Sequence, residues 1–179
     1  MRNLVLALLV AAVAFAAGWS FAQAYAEPGS ACAESIRAVF SPGADDDFIE
    51  LLRSANESIE VEMYQFSYEP LMNELIDANA RGVDVRIILE PRLDGNDNVD
   101  AAGFLKAHGV EVRWASLSFA RTHSKFAVVD GKKAVVGSHN WSRSAMLKNR
   151  EAALFVEGGD AVSDVKRIFE QDWEIATPA

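Results

Sequence analysis

Two short apolar runs lie in the second half of the 179-residue chain, on either side of the dipeptide Asp130-Gly131. Asp-Gly between apolar segments is a strong signal for a two-residue β-hairpin turn. The runs SKFAVVD and KAVVGS therefore predict two antiparallel strands. Any sheet that this chain forms must be antiparallel at that point.

Strand and helix patterns alternate before the hairpin. The predicted strands are IRAVFSP, SIEVEMYQFS, VDVRIILEP and VEVRWAS, and the predicted helices run from Asp45, over Glu69 to Ala80, and from Asp97 to His108. A further strand, EAALFVEG, and a closing amphipathic helix follow the hairpin. Alternating strands and helices indicate an α/β fold. We predict a mixed β-sheet flanked by helices on both faces. Asp45, Asp46 and Asp47 offer an N-cap and first-turn negative charge to the first helix, and Glu60 and Glu62 form a polar strand face.

The N-terminus has the pattern of a secretory signal. Arg2 precedes an uncharged apolar run over residues 4–17, and small residues occupy alternate positions from 22 to 26. We predict a signal peptide or N-terminal anchor over residues 1–26, a linker over 27–35 and a single catalytic domain over 36–176. The expected location is periplasmic or secreted, with membrane anchoring by residues 4–26 as the alternative. The single cysteine, Cys32, excludes an internal disulfide, and we expect it to be inert.

Charge is distributed unevenly along the chain. The net charge is -9, but residues 113–150 carry eight basic side chains and one acidic side chain. This basic segment predicts a surface that binds phosphate groups, and the alternative is an ordinary solvated surface. Its members are Arg113, Arg121, Lys125, Lys132, Lys133, Arg143, Lys148 and Arg150.

The ends of the hairpin carry polar side chains at matched positions. His123 and Lys125 are two residues apart at its beginning, and Ser138 and Asn140 are two residues apart at its end. Residues two apart in a strand point to the same face, so the hairpin can gather these four side chains. Histidine can act as nucleophile or as general acid and base, while the other three can bind phosphoryl oxygens. No carboxylate cluster with metal-ligand spacing lies nearby, and we expect neither a metal nor another cofactor.

The spacing His123-x-Lys125-x4-Asp130-x6-Gly137-Ser138-x-Asn140 resembles the HKD signature of the phospholipase D superfamily. Glu151, in Asn149-Arg150-Glu151, resembles the acidic residue that follows the family motif. With one motif in a short chain, the protein is most similar to the small bacterial endonuclease branch, the Nuc-like proteins. The resemblance implies a phospholipase D-like fold and a homodimer that forms one active site from two hairpins.

The resemblance also implies a two-step mechanism. His123 of one chain forms a phosphohistidine, and His123 of the other chain protonates the leaving oxygen and then activates water. Lys125 and Asn140 would bind phosphoryl oxygens, Ser138 would position the histidine or a phosphate oxygen, and Glu151 would hydrogen-bond the far ring nitrogen of His123.

Other motif residues receive different roles. We assign Asp130 to turn architecture and expect Gly137 to permit a close backbone approach beside the phosphate. Arg121 and Arg143 are assigned to substrate binding. Four further residues are expected to be structural: His108, Phe126, His139 and Trp141.

Three functions remain open at this point. The leading hypothesis is a metal-independent phosphodiesterase that acts as a nonspecific endonuclease on DNA, RNA or both. The second is a phospholipase D or cardiolipin hydrolase that acts on phospholipid. The third, from another class, is a noncatalytic module that binds nucleic acid.

Overall fold

A computed structural model describes residues 31–179 of the chain. The predicted leader of residues 1–26 therefore lies outside the described residues. Within the described part the elements are, in order, β1 (Ser35–Phe40), α1 (Asp45–Arg53), β2 (Ser58–Met63), α2 (Glu69–Ala80), β3 (Asp84–Leu89), α3 (Asp97–Ala107), β4 (Glu111–Trp114), β5 (Lys125–Val129), β6 (Lys133–Gly137), α4 (Arg143–Leu147), β7 (Ala152–Glu157), α5 (Gly159–Ile175) and β8 (Thr177–Pro178).

The strands form one mixed sheet in the order β1-β7-β6-β5-β2-β3-β4-β8. Neighbouring strands β2, β3 and β4 are parallel, as expected for strands joined by helices. The other pairs are antiparallel, including the predicted β5–β6 hairpin.

Helices cover both faces of the sheet and bury two apolar clusters. On one face, α1, α2 and α3 pack against alternate strand residues such as Val61 and Ala127. On the other face, α5 covers Phe126 and Val128 with Phe169 and Trp173 among its buried residues. The predicted α/β fold, a mixed sheet with helices on both faces, is confirmed.

The predicted polar face of β2 is wrong. Glu60 and Glu62 are buried, because α5 covers the face to which they point. The Glu60 carboxylate accepts hydrogen bonds from Arg86 and from Lys166, at 3.2 and 3.1 Å. Glu62 accepts one from the Ser124 hydroxyl. Charged partners beneath α5 thus allow an alternating strand to be buried on both sides.

Three local features also differ from the sequence prediction. Ala44 precedes the first turn of α1, and none of the following aspartates caps the helix through its side chain. Asp45 lies inside the first turn, where its charge still favours the helix dipole. The short elements α4 and β8 were not predicted.

The β5–β6 turn has the geometry that the Asp-Gly signal predicts. Asp130 and Gly131 have φ values of 55° and 61°, and the Lys132 amide donates to the Val129 carbonyl oxygen at 3.0 Å, as a type I′ turn requires. The strand pairing resumes at Val129 and Lys133, so the loop is one residue longer than a two-residue hairpin loop. The turn lies at the amino-terminal edge of β2, because β5 is antiparallel to β2.

Candidate active site

The candidate site lies at the other end of the hairpin, beside the carboxyl ends of the parallel strands β2 and β3. Lys125 begins β5 beside Met63, the last residue of β2. Gly137 ends β6 beside Ala153, near the start of β7. The two ends of the hairpin therefore meet at the edge of the sheet that binds ligands in open α/β folds.

His123 and Lys125 contact each other directly. The Lys125 ammonium lies 3.1 Å from His123 Nδ1 and donates to the His123 carbonyl oxygen at 2.7 Å. The Tyr64 ring packs against the imidazole, with 4.2 Å between ring centroids. His123 is exposed, whereas Lys125 is buried. With its Nδ1 edge held by the ammonium, the imidazole can present Nε2 to a substrate.

Lys125 is a cation in a desolvated position. Burial lowers its pKa, and the charge of Glu151 acts in the opposite direction. Its ammonium also lies 5.0 Å from the centre of the Tyr64 ring, within the range of a cation–π interaction. A partly desolvated ammonium interacts strongly with an anionic oxygen.

Ser138 and Glu151 form a second pair at the site. The Ser138 hydroxyl donates to Glu151 Oε2 at 2.5 Å, and the Asn149 amide donates to Oε1 at 3.1 Å. The bond from Ser138 is the main cause that lowers the pKa of Glu151, against the effect of burial. Among residues 31–179, no hydrogen bond joins Glu151 to His123 of the same chain. The implied contact therefore does not form within one protomer.

Asn140 lies on a loop after β6 and faces the end of β2. Its Nδ2 donates to Gln65 Oε1 at 3.2 Å, and Gln65 in turn donates to Asp97 at 2.7 Å. Asn140 Oδ1 is buried and has no hydrogen-bond partner in the described part of the chain. The Asn140 amide is therefore held through Nδ2, while Oδ1 remains able to accept a hydrogen bond.

The close approach at Gly137 is to protein backbone. A Cβ added at this position would lie 2.4 Å from the Ala152 carbonyl oxygen and 2.6 Å from the Ala153 Cβ. The close backbone approach expected at Gly137 is therefore present and makes room for β7, while a phosphate beside it stays a prediction. This contact sets how near Ser138 lies to Glu151.

Asp130 lies at the far edge of the sheet, separated from His123 by the length of β5. Its carboxylate accepts hydrogen bonds from the backbone amides of Asn56, Glu57 and Ser58, at 2.8 to 3.1 Å. Burial alone would raise the pKa of Asp130, but these amides lower it below its usual value. Asp130 thus ties the hairpin turn to the start of β2, away from the reacting groups.

The basic segment does not form one surface. Lys132 pairs with Glu57, and Lys133 donates to Ser54, both at the edge of the sheet that carries Asp130. Arg113 pairs with Glu111 and stacks on Trp173 at the β4 side. Basic residues from one segment of the sequence therefore lie in different parts of the sheet, because the strands between them carry the chain across it.

The two predicted substrate-binding arginines have different surroundings. Arg121 donates to the Arg92 carbonyl oxygen at 2.7 Å and lies 3.8 Å from Glu90, so it braces the loop before His123. Arg143 is exposed at the start of α4. Both side chains are exposed, and substrate binding by either arginine stays a prediction.

The remaining aromatic and histidine residues are structural, as expected. Trp141 and Phe126 are buried. His108 follows α3, and its Nδ1 lies 2.8 Å from the Phe104 carbonyl oxygen. His139 is buried beside Phe48, with 5.2 Å between ring centroids. Burial lowers the pKa of His139, which favours the neutral ring.

Sequence reasoning missed three residues at this edge. Tyr64 and Gln65 directly follow β2, and Glu90 directly follows β3. The rule that ligands bind at the carboxyl ends of parallel strands would have indicated all three. Tyr64 and Gln65 were overlooked because the predicted second strand extended beyond Met63, and Glu90 was overlooked because the predicted third strand extended beyond Leu89.

Residues 31–179 hold no group of three or more histidine, cysteine, aspartate or glutamate side chains placed to bind a metal ion. No helix in this part of the chain is long and apolar enough to cross a membrane.

The family described as "Cardiolipin synthase, PLD-like domain" matches residues 48–173, which include the whole hairpin. The chain belongs to the phospholipase D superfamily. Its fold is similar to the crystal structure of Nuc, a phospholipase D family member from Salmonella typhimurium, with a TM-score of 0.76 and 26% identity over 81% of this chain and 97% of Nuc. NucT from Helicobacter pylori is similar in fold, with a TM-score of 0.70 and 20% identity over 81% of this chain and all of NucT.

The curated proteins that are similar in sequence are named mitochondrial cardiolipin hydrolase rather than Nuc. Mitochondrial cardiolipin hydrolase from Danio rerio is 31% identical over 134 residues, which is 73% of this chain and 57% of the relative. The protein of the same name from Xenopus tropicalis is 35% identical over 133 residues, 72% of this chain and 60% of the relative. The matched region thus spans somewhat over half of these relatives.

The predicted export of the protein to the periplasm or the medium is wrong. The similar curated proteins are named as mitochondrial. An apolar N-terminal run followed by small residues is a pattern that export signals share with other segments, so the sequence pattern alone was insufficient.

Proposed function

We propose that this protein is a metal-independent phosphodiesterase, and that it hydrolyses nucleic acid as a nonspecific endonuclease. One observation carries the proposal: the exposed His123 imidazole is held by a buried lysine ammonium at an open edge of the sheet. A nucleophilic nitrogen beside a desolvated cation suits attack on an anionic phosphodiester.

The proposed reaction has two steps. A ring nitrogen of His123 attacks phosphorus, a P–N bond forms and the P–O bond to the leaving group breaks. A second histidine donates a proton to the leaving oxygen. That histidine then takes a proton from water, the resulting hydroxide attacks phosphorus, and the P–N bond breaks. Both histidines return to their starting states.

The second histidine must come from a second copy of the chain. The sequence contains three histidines, and the other two are the capping His108 and the buried His139. A twofold axis near the hairpin ends would bring His123 and its copy together. Glu151 bonds to Ser138 in its own chain, so in this proposal it reaches the imidazole of the partner subunit.

We propose that the second copy binds to an apolar surface of the sheet beside the site. Four large side chains on β1, β6 and β7 are exposed by 41% to 64%: Ile36, Phe40, Val136 and Leu154. Leu154 is paired with Val136 in the sheet, so the two lie side by side. The surface borders Ser138 and Glu151, and helix α5 leaves it uncovered.

A charge placed on this surface tests the dimer. Leu154→Asp should convert the protein to a monomer in light scattering and abolish hydrolysis. Val99→Asp, at an exposed apolar residue of α3, should change neither property. A monomeric wild-type protein with full activity would refute the dimeric site.

Support for nucleic acid as substrate comes from the single motif in a short chain, which resembles the endonuclease branch, and from the similarity to nearly the whole of Nuc. Cardiolipin is the second candidate, because the curated relatives are named for its hydrolysis. Both substrates are phosphodiesters and would use the same histidine chemistry.

A substrate panel distinguishes the candidates. The full chain is incubated in excess EDTA with plasmid DNA, single-stranded DNA, RNA, cardiolipin vesicles and phosphatidylcholine vesicles, beside a His123→Asn control. Cleavage of nucleic acid that the control loses is the expected result. Turnover of cardiolipin alone would assign the lipid substrate instead. Inactivity toward all five would contradict an enzyme and favour a noncatalytic binding module, and inhibition by EDTA would contradict the metal-independent chemistry.

A further inference from the structure

The loop of residues 115–124 delivers His123 to the site. It leaves β4, and it must pass the ends of β3 and β2 to reach β5, because the sheet order there is β5-β2-β3-β4. A ten-residue crossing needs fixed points if the histidine at its end is to stay in place. The structure provides such a point at Glu90, directly after β3.

The Glu90 carboxylate is completely buried and accepts four hydrogen bonds. The Thr122 amide donates to Oε2 at 2.7 Å, so the bond is made one residue before His123. Arg92 donates from its amide and from Nε to Oε1, at 2.9 and 2.6 Å, and from Nη2 to Oε2 at 3.0 Å. The carboxylate thus joins the loop to the end of β3.

Arg92 extends this hold along the loop. Its Nη1 donates to the Phe119 carbonyl oxygen at 2.8 Å, and its own carbonyl oxygen accepts from Arg121 at 2.7 Å. Two residues of the loop are therefore fixed through Arg92, in addition to the one fixed by Glu90 itself.

Glu90 is also connected to the segment after β2, which contacts His123 through Tyr64. The Asn98 amide donates to the carbonyl oxygens of Glu90 and Tyr64, at 2.9 and 2.8 Å. Asn98 also accepts from the Phe66 amide at 2.8 Å. The segment that places Tyr64 against His123 is therefore anchored at the same point.

The hydrogen bonds to Glu90 keep its carboxyl group ionised. Burial alone would raise its pKa, but the hydrogen bonds from Arg92 and Thr122 outweigh burial and lower it. A buried carboxylate without such partners would be strongly disfavoured, so Glu90 and Arg92 act as one unit.

We propose that Glu90 is a positioning residue for phosphodiester hydrolysis, which fixes His123 through the Thr122 amide and braces its loop through Arg92. This inference rests on the proposed catalytic role of His123. A displacement of about 1 Å at a reacting group can reduce the rate about 100-fold, so loss of the anchor should act on the chemical step.

Glu90→Gln removes the charge and keeps the shape. The glutamine amide has one acceptor oxygen where the carboxylate has two, so two of the four hydrogen bonds are lost. Its NH2 group also faces the Arg92 or Thr122 donors, so the loop should loosen. We expect kcat to fall about 10- to 100-fold with little change in KM. Hydrogen exchange at the Thr122 amide should accelerate. Glu57→Gln, which alters an exposed carboxylate at the opposite edge, should leave all of these unchanged.

A second variant separates positioning from folding. Glu90→Met/Arg92→Met replaces the ion pair of buried Glu90 and half-buried Arg92 by apolar side chains and should restore thermal stability that Glu90→Gln loses. It leaves the Thr122 amide without its carboxylate, so kcat should stay low. Recovery of kcat together with stability would overturn the proposal, and so would unchanged Thr122 exchange in Glu90→Gln. The exchange measurement needs no substrate, so inactivity of the wild-type protein would refute the proposed function without deciding this one.

Discussion

At the scale of single residues, Gly137 determines how closely β6 and β7 approach beside the site. The Cβ of an alanine would overlap the Ala152 carbonyl oxygen, so Gly137→Ala should lower the free energy of unfolding by about 1–3 kcal/mol. Urea denaturation measures the change. Gly103→Ala, in the middle of α3 with open space around its Cβ, should instead raise stability by about 0.5–1 kcal/mol. Equal effects of the two substitutions would contradict this account of Gly137.

The residues of the motif could be identified from spacing, because a hairpin brings positions two apart to the same face. The side chains that contact these residues could not be identified from spacing. The bond from Ser138 to Glu151 and the packing of Tyr64 on His123 join residues 13 and 59 apart in sequence. Such contacts depend on which strands become neighbours, and periodicity does not contain that information. The contact of Arg121 with Arg92 could not be predicted for the same reason, since Arg92 lies just beyond the end of β3.

At the scale of elements, the Asp130 turn holds the hairpin to β2. Asp130→Ala removes the acceptor for three backbone amides and places alanine at a positive φ, so it should lower the free energy of unfolding by about 2–4 kcal/mol. Asp130→Asn keeps an acceptor and tolerates the same φ, so its loss should be smaller. Urea denaturation gives both values. A large loss of kcat in folded Asp130→Asn would contradict the structural role.

The long elements of the fold were predictable, and the short ones were not. Each predicted strand and helix is present, because apolar periodicity and glycine stops are local signals. α4 has only five residues and β8 only two, which is too short for a periodic pattern. Ser142, whose hydroxyl accepts from the Ala145 amide, was the one available signal for α4. Burial of Glu60 and Glu62 could not be predicted, because it depends on where α5 packs.

At the scale of the whole molecule, the buried carboxyl of Glu62 should make stability depend on pH. Burial raises the pKa of Glu62 to about 7, with the Ser124 hydrogen bond acting against it and Asp172 adding to it. The unfolded chain has the ordinary value of about 4.5. Between these values the folded state binds more protons than the unfolded state, so the free energy of unfolding falls as pH rises.

Glu62→Gln should remove this dependence. Relative to wild type, the variant should gain about 3 kcal/mol at pH 8 and little at pH 5. Urea denaturation at the two pH values gives the comparison, with Glu174→Gln on the exposed side of α5 as control. An equal effect of Glu62→Gln at both pH values would show that Glu62 does not titrate in this range.

The proposed dimeric site also makes a prediction for mixed assemblies. When wild-type and His123→Asn chains are coexpressed in equal amounts and pair at random, about a quarter of the dimers have two intact histidines. Activity should fall to about a quarter if each site needs both. A fall to about half would indicate independent sites, one in each chain.

The covalent intermediate tests the central claim most directly. A labelled nucleic-acid or cardiolipin substrate is mixed with the protein in excess EDTA, quenched in base with denaturant, and the protein is digested for mass spectrometry. The account predicts an acid-labile, base-stable phosphoramidate on His123, absent from His123→Asn. Hydrolysis by His123→Asn at the wild-type rate, with no adduct on any histidine, would contradict it.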